Sequence, residues 1–375
     1  MAFVEKIPAG PRRPERYRVR YRDPAGRHRS RTFRRRRDAE DFARRVEVEI
    51  ADGAWRDPSS ARRPLGELAE AFLEGAYDLR PATKALYEGA WRLHVAPTFA
   101  GVPVGAVRAE DVRAWIEGLL RAGVGARTVQ IARQVLGRIL ERAVEDGLIR
   151  DNPVRRVRPP KAPPRETRVP TTAEVEAVAA AIEPRYRAMV LTAAYAGLRI
   201  GECAGLQRRD LDLLGRRIHV RRQVTEVRGR LEVAPLKTEA SRRTVPIPAF
   251  LAEELARHLE AYVGPRQEDH VFTAPGGGLL RRASWRSRVF EEAVRRAGVE
   301  RFTFHALRDH AATAAIASGA DVKVVQAILG HTDAALTLNR YAGAWPSAFE
   351  AVTERLEEHR RRALEAGQVV PLRRP

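Results

Sequence analysis

A single cysteine, Cys203, stands in the 375 residues. That excludes an intrachain disulfide framework and any cysteine-built zinc cluster. Lysine is almost as scarce: Lys6, Lys84, Lys161, Lys237 and Lys323 are the five among 68 basic residues. No apolar run reaches the length of a membrane span. The best, Ala188 to Leu198, is bounded by Arg187 and Arg199 and contains Thr192. The start of the chain has no apolar leader core, because Glu5 and Lys6 fall within the first eight residues. The nine histidines lie apart, with no His-Glu-x-x-His spacing, and no Gly-x-x-x-x-Gly-Lys loop is present. Neither a metal-ligand motif nor a phosphate loop for ATP is therefore readable. The expectation is a reduced, cytoplasmic protein, nucleoid-associated, with no membrane partner.

What is present begins with charge. Lysine and arginine outnumber acidic residues by 68 to 48, a net +20. Such a surplus favours a polyanionic partner, nucleic acid first. The preference for arginine over lysine, beside abundant Ala, Gly and Pro, reads as the codon bias of a GC-rich genome. That bias does not explain the excess over acids. Apolar residues at 44% and charged residues at 31% are ordinary globular values, and the length accommodates two or three domains with their own cores.

The chain reads as multidomain and mainly α, with an α+β third part. Residues 1–56 carry a net +8. Tyr17 to Tyr21 alternates as a strand, Asp23-Pro-Ala-Gly26 is a turn, and Arg27 to Phe33 resumes the strand pattern. Ala39, Phe42, Val46 and Ile50 then mark one face of a helix. A basic sheet with one helix can lay a β-ribbon into a DNA groove, with Arg18, Arg20, Arg22, Arg29 and Arg31 as candidate DNA contacts. The bland alternative is a small packing module. Residues 57–64 read as a linker. Residues 64–154 read as a four-helix bundle, whose last helix turns Val129, Ala132, Val135, Leu136, Ile139, Leu140 and Ala143 inward. Residues 155–168, rich in proline and arginine, read as an inter-domain linker. Thr171-x-x-Glu174 has capping-box spacing and opens the third part, 169–350, which runs from helices to strands between Arg217 and Ile247 and back to helices. Residues 351–375 read as a C-terminal helix and tail, fraying beyond Arg362.

Four segments of the third part could carry chemistry. In Ala196-Gly-Leu-Arg-Ile-Gly-Glu202, Arg199 follows a long apolar helix, a costly place for a cation unless it is paired or faces a ligand, and Glu202 could orient it. In Leu236-Lys-Thr-Glu-Ala-Ser-Arg-Arg-Thr-Val-Pro246, Lys237 falls between strand patterns, as at a hairpin tip. In Phe304-His-Ala-Leu-Arg-Asp-His310, His305 and Arg308 sit at i and i+3 of a helix start. In Leu329 to Tyr341, His331 follows a helix-ending Gly, and Tyr341 comes ten residues later. Singly, each has a structural reading: an Arg–Glu pair, a loop cation, a capping histidine, a core tyrosine. Together they suit phosphoryl transfer without metal. The arginines would hold non-bridging phosphate oxygens, and the tyrosine oxygen would attack. Lys237 would protonate the leaving 5′-oxygen. His305 would take the tyrosyl proton or bond the phosphate, and His331 would donate to the phosphate.

With these residues in this order, over about 140 positions, the chain resembles the tyrosine recombinase (phage integrase) family. The words AGLRIGE, LKTEASRRTVPIP, HALRD and LGH followed by RY are similar to the family's. The resemblance covers residues 64–350 and implies a helical core-binding domain and a catalytic domain that clamp duplex DNA. It implies Arg199, Lys237, His305, Arg308, His331 and the nucleophile Tyr341 as catalytic residues, with Glu202 in support. It also implies double-stranded DNA attachment sites as partners, a homotetramer that exchanges strands through a Holliday junction, a 3′-phosphotyrosine intermediate, and no cofactor. Residues 1–56 look similar to an arm-type DNA-binding domain, which points to integration or excision of a mobile element and leaves room for an excisionase or DNA-bending protein. One departure stands out: Asp309 occupies a place where the family often has histidine. A type IB topoisomerase, or a non-catalytic architectural DNA-binding protein, remains as an alternative.

Overall fold

The computed structural model describes the chain except residues 1, 10–13, 54, 58, 78, 164–167, 237, 331–340, 342–345 and 367–375, and the side chains of 346–352. The chain divides into two compact units, Met1–Pro164 and Arg165–Pro375.

The first unit holds two separate apolar clusters. Strands β1 (Phe3–Ile7), β2 (Arg16–Arg22) and β3 (His28–Phe33) form an antiparallel sheet in chain order. The turn between β2 and β3 closes as its sequence predicts: the Asp23 carboxylate accepts from the backbone N–H of Ala25 and Arg27. Helix α1 (Arg36–Ala51) buries Ala39, Ala43 and Val46 against Val19 and Tyr21.

The bundle follows: α2 (Leu65–Glu74), α3 (Pro81–Ala90), continued through a wide turn Trp91–Val95 into α4 (Ala96–Phe99), then α5 (Ala109–Arg121) and α6 (Ala126–Glu145). All seven residues assigned inward on α6 are buried, and the five larger ones (Val129, Val135, Leu136, Ile139 and Leu140) each contribute about 1.5–3 kcal/mol when removed from water. The linker, assigned to 155–168, starts differently. Val157 within it is buried in the bundle, as is Val154 just before it, and Arg133 donates to the carbonyls of both. Gln130 donates to Pro160 O. Two valines bracketing a tight turn seal the bundle, so the segment is packed structure as far as Pro160.

In the second unit, α7 (Thr172–Ala181) begins with the expected capping box: Glu174 N–H donates to Thr171 Oγ1, and Thr171 N–H donates to Glu174 Oε2. Helix α8 (Pro184–Ala196) is apolar nearly all round and forms the centre of the core. The short α9 (Ile200–Gly205) follows. The strands form two sheets. Strands β4 (Leu211–Asp212), β5 (Arg217–Val220) and β8 (Arg243–Pro246) make one antiparallel sheet. Strands β6 (Arg222–Val227) and β7 (Arg230–Pro235) make a hairpin whose tip is Arg228–Gly229, both with positive φ. Helices α10 (Ala249–Tyr262), α11 (Arg282–Trp285), α12 (Glu291–Arg296), α13 (Phe304–Ala317) and α14 (Val322–Leu329) complete the core. The last helix, α15 (Pro346–Ala366), runs past Arg362, where fraying was expected. Among the described residues no helix is long and apolar enough to cross a membrane.

Candidate active site

Glycine punctuation places Arg199. Gly197 ends α8 in the left-handed region at φ +65, and Arg199 becomes the N-cap of α9. Gly205 lets α9 lie on β6: a Cβ there would stand 2.8 Å from Gln223 Cα and 2.9 Å from Arg222 O. Glu202, 1% exposed, accepts from Arg199 N–H at 3.0 Å and Arg199 Nη1 at 2.7 Å. It also accepts from Arg243 Nη2 at 2.9 Å. Burial works against the Glu202 carboxylate, but the Arg243 and Arg199 guanidiniums outweigh it and hold its pKa below the ordinary carboxylate range. Glu202 thus binds Arg199 through both its backbone and its side chain.

Arg243 was missed in the sequence. Its side chain donates from Nε to Ile328 O at 2.6 Å and from Nη1 to Ser241 O at 3.0 Å. It therefore joins β8, α9 and the end of α14. The readable signal is strand alternation, which puts Arg243 on the inward side with the buried Val245. Glu202→Ala would leave Arg243 buried without its counter-charge. The expected loss is about 3–5 kcal/mol of stability, seen as a lowered thermal midpoint. Since the Glu202 pKa is depressed, its contribution is full above the ordinary carboxylate value and fades as pH falls through the depressed one. An unchanged midpoint would remove Glu202 from this role.

Arg308 lies on α13 and is 2% exposed. Its two terminal nitrogens donate to Gly197 O and Leu329 O. Burial, then the neighbouring Arg199, pushes the guanidinium down to about 9, so it stays charged at neutral pH. His305, one turn earlier, is exposed at the head of the same helix. Asp309 and Tyr341 meet: the Tyr341 hydroxyl donates to Asp309 Oδ1 at 2.6 Å, and the two residues are 2% and 5% exposed. The structure thus brings together Arg199, Glu202, Arg243, Arg308, Asp309 and Tyr341. Lys237 and His331 lie outside the described residues. His310, beside Asp309, is a core residue: its Nδ1 bonds Pro170 O at 2.9 Å, and its ring meets Tyr195 edge-on. Among the described residues no group of three or more His, Cys, Asp or Glu side chains could hold a metal ion.

The five arginines of the N-terminal sheet separate. Register places Arg18, Arg20 and Arg22 opposite Thr32, Ser30 and His28. Alternation turns this set away from the face where Val19 and Tyr21 meet α1. Arg29 and Arg31 fall on the α1 side instead. Arg29 pairs with Asp23 and Asp57, and the Arg31 guanidinium stands 5.1 Å from the Phe42 ring centroid. Arg29 is thus engaged in ion pairs, and Arg31, itself exposed, in a cation–π contact.

A sequence profile of the phage integrase family matches residues 169–346. The prophage phiRv2 integrase of Mycobacterium tuberculosis is 31% identical over 330 residues, covering 84% of each chain. The chain belongs to the tyrosine recombinases of the phage integrase family. It is a site-specific recombinase, an enzyme that cleaves and rejoins DNA. Its fold is similar to that of the Tn1549 transposon integrase in complex with transposon right end DNA. There the TM-score is 0.68 at 21% identity, over 79% of this chain and all of that one. It is also similar to a lambda integrase tetramer bound to a Holliday junction, with a TM-score of 0.55 at 20% identity, over 84% of this chain and 93% of that one.

Proposed function

We propose that this recombinase integrates or excises a mobile element by metal-independent transesterification, with Tyr341 as nucleophile. The supporting observation is the convergence of Arg199, Arg308 and Tyr341 from α9, α13 and a position 33 residues beyond Arg308. Arg199 and Arg308 hold the non-bridging oxygens of the scissile phosphate and offset charge in the transition state. The Tyr341 oxygen forms a bond to phosphorus as the bond to the 5′-oxygen breaks, and its proton passes to His305. Lys237 gives a proton to the departing 5′-oxygen, and His331 donates to the phosphate. The product is a 3′-phosphotyrosine and a 5′-hydroxyl. Attack by a 5′-hydroxyl from another strand reverses the steps and rejoins the DNA.

The lambda integrase neighbour is a tetramer on a Holliday junction. We extend that assembly to this chain as a homotetramer on duplex attachment sites, with an excisionase or DNA-bending protein as accessory. The test is to incubate the full chain with a nicked duplex, selected from a random-sequence library by its binding, in chelator. An SDS-stable adduct should form, and its nucleotide should map to Tyr341 by peptide mass. A nucleotide on another residue would overturn the assignment.

Arg18, Arg20 and Arg22 present the N-terminal sheet to DNA phosphates and base edges. Replacing all three with alanine should flatten the slope of log affinity against log salt by about 2–3, since each phosphate contact contributes about 0.9. Arg29→Ala and Arg31→Ala should leave the slope unchanged and lower the thermal midpoint. Equal slopes for the triple variant and the wild type would exclude that face from DNA.

A further inference from the structure

We propose that Asp309 stows the nucleophile. Before cleavage its carboxylate accepts the Tyr341 hydroxyl and keeps the phenol buried, and attack begins when that hydrogen bond is exchanged for the phosphate. The inference rests on Tyr341 as nucleophile.

The geometry carries it. The Tyr341 ring packs among Ala312, Ile316, Val325 and Leu329, the four residues where α13 meets α14. Its hydroxyl donates inward, to a carboxylate that is itself 2% exposed. Attack on phosphorus requires the oxygen to approach within about 3–3.5 Å, in line with the leaving group. While the hydroxyl is engaged by Asp309 it cannot face phosphorus, so the docked phenol precedes attack.

The bond is of the strong kind. A hydroxyl donating to a carboxylate is charge-assisted and short, and it is fully withdrawn from water here. The hydroxyl is the donor, so the stowed phenol keeps its proton. The phenol that Asp309 holds also lies within electrostatic reach of the Arg308 guanidinium. A phosphate drawn to that guanidinium offers the phenol a new oxygen to face. Filling the arginine pocket thereby favours release of the nucleophile. A neutral histidine at position 309 would lack the charge that makes the latch strong, so the departure from the family's habit has a physical consequence.

Two measurements test the latch. The first is nitration of the DNA-free full chain by tetranitromethane, read by peptide mass. Tyr77, 96% exposed, should react readily, while Tyr186, at 1%, and Tyr341 should be protected. In Asp309→Ala, Tyr341 should become about ten- to a hundredfold more reactive, the scale of one charge-assisted hydrogen bond, with Tyr186 still protected. Asp309→Asn retains a neutral acceptor and should fall between. The second is the single-turnover rate of adduct formation at saturating nicked duplex. It should rise in Asp309→Ala with DNA affinity unchanged.

Protection of Tyr341 equal to that of Tyr186 in Asp309→Ala would overturn the proposal. So would a fall in adduct rate in a variant whose Tyr186 stays protected. If the alanine chain exposes Tyr186 as well, the near-isosteric Asp309→Asn decides by the same comparison. An adduct that persists in Tyr341→Phe would instead sink the nucleophile assignment, and nitration would still report on the latch itself.

Discussion

Tyr341→Phe is expected to abolish the covalent protein–DNA species while DNA binding stays at the wild-type level. The substitution removes one oxygen and preserves the ring. Phenylalanine fills the same space among Ala312, Ile316, Val325 and Leu329. The Asp309 carboxylate loses a donor, at a cost of about 1–3 kcal/mol, so the fold persists with a lowered thermal midpoint. Affinity is spread over many phosphate contacts and does not depend on one phenol. Cleavage does, because no other atom of residue 341 can carry the phosphoryl group. The adduct rate should fall by at least about a thousandfold, the order seen when a covalent nucleophile is removed. The measurement is an SDS-resistant band on a nicked duplex in chelator, beside an electrophoretic binding assay. Adduct formation at the wild-type rate would mean that another residue attacks. Loss of binding together with cleavage would mean that the substitution acts through the fold.

How far the sequence could be read depends on the range of the interaction. The inward face of α6 was legible because a helix repeats every 3.6 residues, and burial imposes that period on the apolar positions directly. The capping box at Thr171 was legible for the same reason: both partners lie within four residues. The order of Arg199, Glu202 and Arg308 was legible as a set of short words at fixed distances. Val157, within the stretch assigned to the linker, was not, since a lone valine among prolines and arginines carries no period.

Interactions across long stretches of chain were the least visible. Arg243 reaches Glu202 over 41 residues and Ile328 over 85. Tyr341 reaches Asp309 over 32. The five N-terminal arginines could be assigned to strands, but their two faces depend on the register of β2 with β3, which one strand's pattern does not fix. The catalytic sheets likewise required knowing that β8 passes over the β6–β7 hairpin to pair with β5. The sequence did supply a local sign at position 309, an acid where the family often has histidine. What that acid holds emerged only from the fold.

The same long-range wiring sets the consequence of changing Arg308. Arg308→Lys is expected to lower the rate of adduct formation by about a hundred- to a thousandfold while leaving a cation in the chain. The guanidinium uses its two terminal nitrogens to tie Gly197 O to Leu329 O and still has N–H groups to offer a phosphate. A lysine ammonium is a single point on a flexible stem. It cannot bridge two carbonyls and present a planar fork to two phosphate oxygens. Its charge is also less secure. Burial first, then Arg199, brings the arginine down to about 9, which leaves it charged at neutral pH. An ordinary lysine starts near 10.4, about two units below arginine, and the same surroundings push it the same way. A depressed cation keeps its charge below its folded pKa and loses it as pH rises through that value. The residual activity of the variant should therefore decline on the alkaline side at a lower pH than that of the wild type. Rates of adduct formation across pH at saturating nicked duplex measure both effects. A lysine variant with the wild-type rate and the wild-type alkaline limb would show that Arg308 does not hold the phosphate.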